Sequence, residues 1–181
     1  MFDKFGELDS YTELNELAEN LFNEGDHEGI RVLAKENGIG EFAGPYIEGD
    51  IPSLCDAETA AVGKLTVEAA ALKLKGLMLD WLEYAKAMAA KKEQVAIGIR
   101  RKNRSLEGCM AVLLKAAFQS QMPVDDKIIK AAGIKGAGKV TFGVPSMGEA
   151  KKLIGQYYGG KKGTGSASCR CARRSRHQGR R

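Results

Sequence analysis

The amino-acid sequence predicts a mainly α-helical protein, a compact multi-helix domain with an acidic N-terminal helical hairpin and at most a minor β element near 139–144. Capping residues precede several segments whose apolar side chains recur at helical spacing. Alanine and leucine, which have high helix propensity, supply much of the 44% hydrophobic content. Proline, which breaks helices, occurs only four times in 181 residues. We therefore expect six or seven helices.

The N-terminal segment predicts the helical hairpin. Ser10 followed by Glu13 has the pattern of a capping box, and the leucines after it recur at helical spacing over roughly 11–23. Asp26 is the predicted cap of a second helix, and a glycine follows each of the two helices. Glycines and prolines then break the periodicity, so we expect only a short helix near 42–47.

The centre of the chain predicts its main core helix. Residues 57–92 are rich in alanine and leucine and form an apolar stripe, with a predicted break at Gly63 or Gly76. A basic segment follows. Ser105 then has the position of an N-cap, and the helix that it begins should stop before Pro123.

Three shorter elements are predicted towards the C-terminus. Asp125 or Asp126 caps a short helix, and Ser146 with Glu149 forms a second capping box before the last helix. Between them, residues 140–142 have the composition of a brief strand, although glycine and proline neighbours favour a loop almost equally.

Charge divides the chain into three regions. Residues 1–63 carry 15 acidic and three basic side chains, a net charge of −12, whereas the remaining 118 residues carry eight acidic and 25 basic ones, a net charge of +17. We expect an acidic N-terminal helical lobe at 1–63, a basic helical domain at 64–158 and a disordered basic tail at 159–181. Such a split is typical of a protein that contacts charged macromolecules.

The tail has two interpretations. It holds eight Lys and Arg residues and no acidic, aromatic or branched aliphatic residue, so it cannot bury enough surface to fold. It is either an arginine-rich arm for nucleic acid, or an extension read out of frame or derived from a vector. We leave it out of the fold prediction.

A dense cationic cluster directly precedes the Ser105 cap. Its members are Arg100, Arg101, Lys102 and Arg104. A helix N-terminus offers unpaired N–H groups and a positive dipole, so cations at that point favour a phosphate ligand. The alternative is a solvated connection between helices. Six lysines are candidates to extend the same surface: Lys127, Lys130, Lys135, Lys139, Lys151 and Lys152.

The acidic lobe is the second candidate binding surface, because its carboxylates can act as a surrogate for phosphates towards a basic partner. Four glutamates of this lobe are the candidates for this contact: Glu13, Glu16, Glu19 and Glu24.

No catalytic or metal-binding pattern accompanies these charges. The Gly133–Val140 segment falls short of the phosphate-binding loop GxxxxGK[ST], because valine occupies the Ser/Thr position and a predicted helix precedes the glycine. Two histidines and four scattered cysteines predict neither a metal site nor a disulfide framework. Asp80 and Glu83 share one helical turn but have no histidine partner. We expect no cofactor, no enzymatic activity and no membrane segment.

Several short motifs resemble those of a known family. They are Asp80-Trp81-Leu82-Glu83-Tyr84, Arg104-Ser105-Leu106-Glu107-Gly108-Cys109-Met110, Leu153-Ile154 and Tyr157-Tyr158. In this order, and spanning about residues 75–158, they resemble the PcfK-like proteins of conjugative elements, which overlap with a family of type II-A anti-CRISPRs from phages and plasmids. Those anti-CRISPRs inhibit Cas9. The resemblance implies a small mobile-element protein that binds and does not catalyse.

The leading hypothesis is therefore a cytoplasmic, non-enzymatic anti-CRISPR that binds Cas9 or the Cas9–guide RNA complex and blocks target DNA binding or cleavage. Because Cas9 holds nucleic acid with cationic surfaces, an acidic lobe can compete for the same cations. The alternative is a DNA-binding accessory protein of a conjugative element or phage. An uncharacterised enzyme is the third hypothesis.

Overall fold

Helices dominate the computed structural model, which describes residues 2–134 and 139–160. These ranges contain nine α-helices, one 3-10 helix (Gly40–Phe42) and one two-stranded sheet. The predicted mainly α class is confirmed. The helices are α1 (Tyr11–Asn23), α2 (His27–Glu36), α3 (Ala43–Glu48), α4 (Ala57–Leu72), α5 (Leu77–Lys91), α6 (Glu93–Arg100), α7 (Leu106–Gln119), α8 (Asp126–Ala131) and α9 (Met147–Gly159).

The predicted caps begin the helices that they were expected to begin. The side-chain oxygen of Ser10 accepts a hydrogen bond from the Glu13 N–H at 3.1 Å, and that of Asp26 accepts one from the Gly29 N–H at 2.7 Å. Ser105 and Ser146 cap α7 and α9 in the same way. These bonds satisfy backbone donors that the helix itself leaves unpaired, which explains why the helix starts could be predicted.

The central segment is divided at one of the two predicted break points. Helix α4 ends before Lys73, which has a left-handed φ of +51°, and Gly76, with φ +55°, precedes α5. Gly63 instead stays inside α4, where a β-carbon would collide with the carbonyl oxygen of Asn37. Its role is therefore close packing of α4 on the end of the helical hairpin.

Helix α6 was not predicted. It lies in the basic segment between the central helix and the Ser105 cap, and the buried side chains Val95, Ala96 and Ile99 hold it in the interior. Val95 and Ile99 have i, i+4 spacing, which is the sequence signal for it. This helix and the divided central segment raise the number of helices above the expected six or seven.

In the described ranges, two hydrophobic clusters form the core. One is built from the N-terminal helices, and the other from α4 to α7 and α9. Helix α4 belongs to both, because Ala60 packs in the first cluster and Ala61 and Leu65 pack in the second. The expected boundary between residues 63 and 64 thus falls inside a continuous helix that joins the acidic and basic regions.

The minor β element is an antiparallel pair. Strand β1 (Met122–Pro123) pairs with β2 (Thr141–Phe142), with Met122 opposite Phe142. Helix α8, capped by Asp125, lies between them and precedes the glycine-rich segment, as predicted. Residues 135–138 of that segment, including Lys135, lie outside the described residues.

Other sequence expectations concern the C-terminus and the membrane. Gly159 is the last residue of α9, and the rest of the predicted tail beyond residue 160 lies outside the described ranges. Among the helices that are described, none has the length and apolar character required to cross a membrane.

Candidate functional site

The predicted phosphate site at the start of α7 is already occupied by the protein's own carboxylate. The backbone N–H of Leu106, in the first turn of α7, donates to Oε2 of Glu68 at 2.7 Å. Glu68 belongs to α4 and is buried. A helix N-terminus attracts an anion through its unpaired N–H groups. Here an internal anion satisfies that requirement, which sequence spacing could not reveal.

Two members of the cationic cluster are buried. Arg100 is 1% exposed and Arg104 is 6% exposed. Nη2 of Arg100 donates to Oδ1 of Asn37 at 2.5 Å, and the Arg104 guanidinium lies 5.2 Å from the centre of the Tyr157 ring. The expectation of one cationic surface formed by all four residues is therefore wrong for Arg100 and Arg104, because both pack against protein groups.

The other two cations lie nearer the surface. Arg101 is half-buried and donates from Nη1 to the Gly160 carbonyl at 3.4 Å, whereas the Lys102 side chain is exposed. The backbone N–H of Lys102 donates to Oδ1 of Asp9 at 3.0 Å. The acidic N-terminal segment thus packs directly on the basic connection between α6 and α7.

A buried lysine that the sequence analysis did not select lies at the centre of this contact. The Lys64 side chain has no exposed surface, and its Nζ donates to Oε1 of Glu7 at 2.5 Å and to the Arg101 carbonyl at 2.9 Å. Oε1 of Glu68 is 3.8 Å away. Lys64 and Glu68 have i, i+4 spacing on the face of α4 that buries several alanines, and that pattern was the available signal.

We call Glu7, Lys64, Glu68 and Arg100 the internal charge cluster. Burial lowers the pKa of Arg100 from its ordinary value, and the nearby Cys55, Glu7 and Glu68 oppose that change. Burial raises the pKa of Glu68, opposed by the Leu106 N–H and by Lys64. Within the described part of the chain, Nε and Nη1 of Arg100 have no hydrogen-bond partner. The cluster joins the acidic and basic regions of the fold.

The acidic candidate surface has a different environment. Glu13, Glu16, Glu19 and Glu24 are all exposed. At 100° per residue, Glu16 and Glu19 lie on the side of α1 opposite the buried Leu14, Ala18 and Leu21, Glu13 lies at the edge of that side, and Glu24 is the C-cap that follows the helix. We call these four glutamates the α1 acidic face. Oε2 of Glu13 accepts a hydrogen bond from the Asp9 N–H at 2.8 Å. In the described ranges no salt bridge of Lys or Arg to any of the four is found.

A surface cleft of about 1120 Å³ is lined by residues of α5, α6 and α9. Three exposed lysines line it, Lys92, Lys151 and Lys152, together with Glu93 and Tyr84. Nζ of Lys151 lies 5.0 Å from the centre of the Tyr84 ring. Of the lysines expected to extend the cationic cluster, Lys151 and Lys152 are therefore grouped with Lys92 on the walls of this cleft. Lys139 is exposed.

Asp80 and Glu83, which the sequence places on one helical turn, lie in α5. Asp80 and Glu83 are exposed, and Glu83 pairs with Lys86 at 3.1 Å. Among the described residues, no group of three or more His, Cys, Asp or Glu side chains has the proximity needed to hold a metal ion. The described cysteines, Cys55 and Cys109, are buried as thiols.

Comparison with known proteins returns no relative: no family model, no curated protein and no solved structure matches this chain.

Proposed function

We propose that this protein is a non-enzymatic anti-CRISPR that binds Cas9 in the cytoplasm and blocks target DNA binding or cleavage. The observation that carries the proposal is the α1 acidic face, four exposed carboxylates along and directly after α1 in a lobe of net charge −12. The resemblance of residues 75–158 to PcfK-like and type II-A anti-CRISPR proteins supplies the identity of the partner.

The acidic side chains of the lobe fall into two groups, one that contacts the rest of the fold and one that is exposed, and the exposed group supports a binding surface on α1. Glu7 and Asp9 contact Lys64 and the Lys102 backbone, so part of the acidic charge holds the two halves of the fold together. The α1 acidic face instead points away from the core. Its carboxylates are therefore accessible to the cations of another molecule.

The proposed mechanism is competition for cations that hold nucleic acid. Cas9 reads its PAM with arginines and holds the guide–target duplex in a positive channel. Glu13, Glu16 and Glu19 of α1 are three residues apart, so about 4.5 Å along the helix axis, at 1.5 Å per residue. A rigid row of carboxylates at this spacing presents several negative charges at once, and such complementarity steers encounter and excludes DNA.

The test is a plasmid-interference assay in cells that express Cas9, with and without this protein. We expect interference to be lost when the protein is present. A variant with all four residues of the α1 acidic face changed to Gln keeps side-chain size and removes charge, and it should restore interference. Unchanged interference across Cas9 orthologues in the presence of the wild-type protein would refute the proposal.

A second candidate function, DNA binding as an accessory protein of a conjugative element or phage, is favoured by the three lysines of the α5–α6–α9 cleft. Its test is duplex DNA binding without Cas9 at several salt concentrations. Each phosphate contact contributes about 0.9 to the slope of log affinity against log salt. Changing Lys92, Lys151 and Lys152 to Ala should therefore flatten the slope by up to about 2.7. An unchanged slope would exclude the cleft as the DNA site.

Burial of Arg100 and Arg104 also limits what the cationic cluster can contribute to such binding. Only Arg101 and Lys102 remain near the surface, so changing both to Ala should flatten the slope by at most about 1.8. A larger change would mean that the connection opens when DNA binds.

A further inference from the structure

A groove of about 500 Å³ opens on the acidic lobe beside the α1 acidic face. Helix α1 forms one wall, and residues 46–53 form the other. Its main lining residues are Asn15, Glu19, Phe22, Tyr46, Ile51 and Pro52. The groove therefore combines aromatic and aliphatic surface with one member of the acidic face.

The aromatic part of the groove includes an exposed phenylalanine whose ring is held by two neighbouring rings. Phe22 is 41% exposed although it is a large apolar residue. Its ring meets Tyr46 edge-on, with centres 5.8 Å apart and planes at 62°, and it stacks on His27 with centres 5.9 Å apart. Contacts of this geometry orient a ring, so Phe22 presents a defined surface to a ligand.

Hydrogen bonds also hold the wall formed by residues 46–53 in place beside α1. Asn15 of α1 donates from Nδ2 to the Cys55 carbonyl at 2.8 Å, and its Oδ1 accepts from the Cys55 N–H at 3.1 Å. After α3 the chain turns at Gly49, whose φ is +83°, and the Asp50 N–H donates to the Pro45 carbonyl at 2.9 Å. The groove is thus formed before any ligand arrives, which lowers the entropic cost of binding.

The charge around the groove is negative. Glu19 lies on the groove wall, and the exposed Glu48 and Asp50 flank Gly49 on the other side. Partial burial raises the pKa of Tyr46, and the charge of Glu19 raises it further, as expected for a carboxylate near the phenol. A ligand that enters the groove meets aromatic surface and negative charge together.

We infer that this groove is a receptor for an arginine side chain, presented by an arginine-bearing segment of the partner protein. A guanidinium is planar and weakly hydrated, stacks on aromatic rings and pairs with carboxylates. Phe22 and Tyr46 supply the rings, and Glu19 supplies the carboxylate. The compact, strongly hydrated ammonium of lysine fits such a surface less well. Nucleic acid is disfavoured by the negative charge of the lobe.

The inference deepens the proposed function and rests on it, because it names arginine as the type of Cas9 side chain that the acidic lobe binds. It also explains why one large aromatic residue remains exposed within a lobe whose other exposed side chains on α1 are polar. An exposed apolar surface bordered by charges is typical of an interaction site.

The experiment measures binding of fluorescent nine-residue peptides of alternating Arg and Gly to the full chain, with Lys–Gly and citrulline–Gly peptides as matched probes. We expect the Arg peptide to bind at least fivefold more tightly than the Lys peptide and the neutral citrulline peptide to lose binding. Phe22→Ala and Glu19→Gln should each weaken Arg-peptide binding about fivefold, the order of a partly solvated cation–π contact or charged hydrogen bond. Glu41→Gln removes one exposed charge outside the groove and should change affinity less than twofold.

Three results would overturn the inference. Equal affinity for the Arg and Lys peptides would mean simple charge attraction, and unchanged affinity in Phe22→Ala and Glu19→Gln would place binding elsewhere. A third variant keeps the full chain but changes the six arginines of residues 161–181 to Gln. A severalfold gain in peptide affinity there would identify the chain's own C-terminal segment as the occupant.

The same variants separate this inference from the proposed function. If Cas9 binding depends on the α1 acidic face but tolerates Phe22→Ala, the anti-CRISPR proposal stands and the arginine receptor is wrong. If the Arg peptide binds the groove but Cas9 does not associate with the protein, the groove recognises arginine in a different partner and the anti-CRISPR proposal fails.

Discussion

Substitution of the buried Lys64 by Met tests whether the internal charge cluster holds the two halves of the fold together. Methionine keeps the length of the side chain and removes its charge. The Lys64 ammonium donates to the Glu7 carboxylate and to the Arg101 carbonyl, and it lies near the Glu68 carboxylate. Lys64→Met therefore leaves two carboxylates and one carbonyl without their cation.

The expected loss of stability is large because Lys64 and Glu68 are buried. Removal of one partner from a buried ion pair costs about 3–5 kcal/mol, since the remaining charge is uncompensated. For a chain of this size, 1 kcal/mol shifts Tm by about 2–4 °C, so Tm should fall by about 6–20 °C. The double variant Lys64→Met, Glu68→Gln also removes the charge of the buried Glu68 carboxylate, so it should recover part of this loss.

The loss should also depend on pH. Burial raises the pKa of Glu68, so its contribution to stability is largest at acid pH and declines as pH rises through the folded-state pKa. The Lys64 cation opposes this shift, so its removal raises the pKa of Glu68 further. The deficit of Lys64→Met should therefore be larger at pH 7 than at pH 5.

The measurement is urea unfolding followed by circular dichroism at both pH values. Lys86→Met is the matched control, because Lys86 forms a surface ion pair with Glu83 and its loss should cost no more than about 1 kcal/mol. If Lys64→Met is as stable as this control at pH 7, the cluster does not join the two halves. Hydrogen exchange at the Lys102 amide should rise in Lys64→Met if the reasoning is right.

Three further predictions concern binding, packing and thiol reactivity. Reversing the charges of Glu13, Glu16 and Glu24, the members of the α1 acidic face outside the groove, should slow association with Cas9 and leave dissociation nearly unchanged. The effect should shrink with rising salt in surface-based kinetics, and an unaltered on-rate would contradict electrostatic steering. Gly98→Ala should lower Tm strongly in thermal unfolding, because a β-carbon there would overlap the Tyr158 carbonyl, whereas Gly148→Ala has open space and should be neutral or slightly stabilising. Burial raises the pKa of Cys55 and of Cys109 to about 12, so both thiols should resist maleimide at pH 8, by site-resolved mass spectrometry, until the protein unfolds.

The helix boundaries illustrate what could be predicted from sequence. Ser10, Asp26, Ser105 and Ser146 were identified as caps, and each caps the expected helix. A cap and the amide that it bonds are two or three residues apart, so the interaction is encoded within one turn. The β pair depends on a longer-range contact, because its paired residues are 18 and 20 positions apart and only tertiary packing brings them together.

The cationic cluster illustrates what could not be predicted from sequence. Arg100 and Lys102 are equivalent in a count of charges, yet Arg100 follows Ala96 by one helical turn on the buried face of α6, and Lys102 is exposed. This difference arises from α6 itself, a helix of eight residues that the charge run obscured in the sequence. The candidate phosphate site could not be assessed from sequence either, because the Glu68 carboxylate that occupies it lies 38 residues before Leu106 in the chain.

The sequence by itself determined the mainly α class, the helix starts and the separation of acidic from basic residues, because these depend on composition and on contacts within a few residues. Only the tertiary structure decided which charges remain on the surface. The α1 acidic face is exposed, whereas Glu7, Lys64, Glu68 and Arg100 neutralise one another between the two halves of the fold. The physical reason is that burial of a charge requires partners from distant segments, and the position of those partners is set by packing.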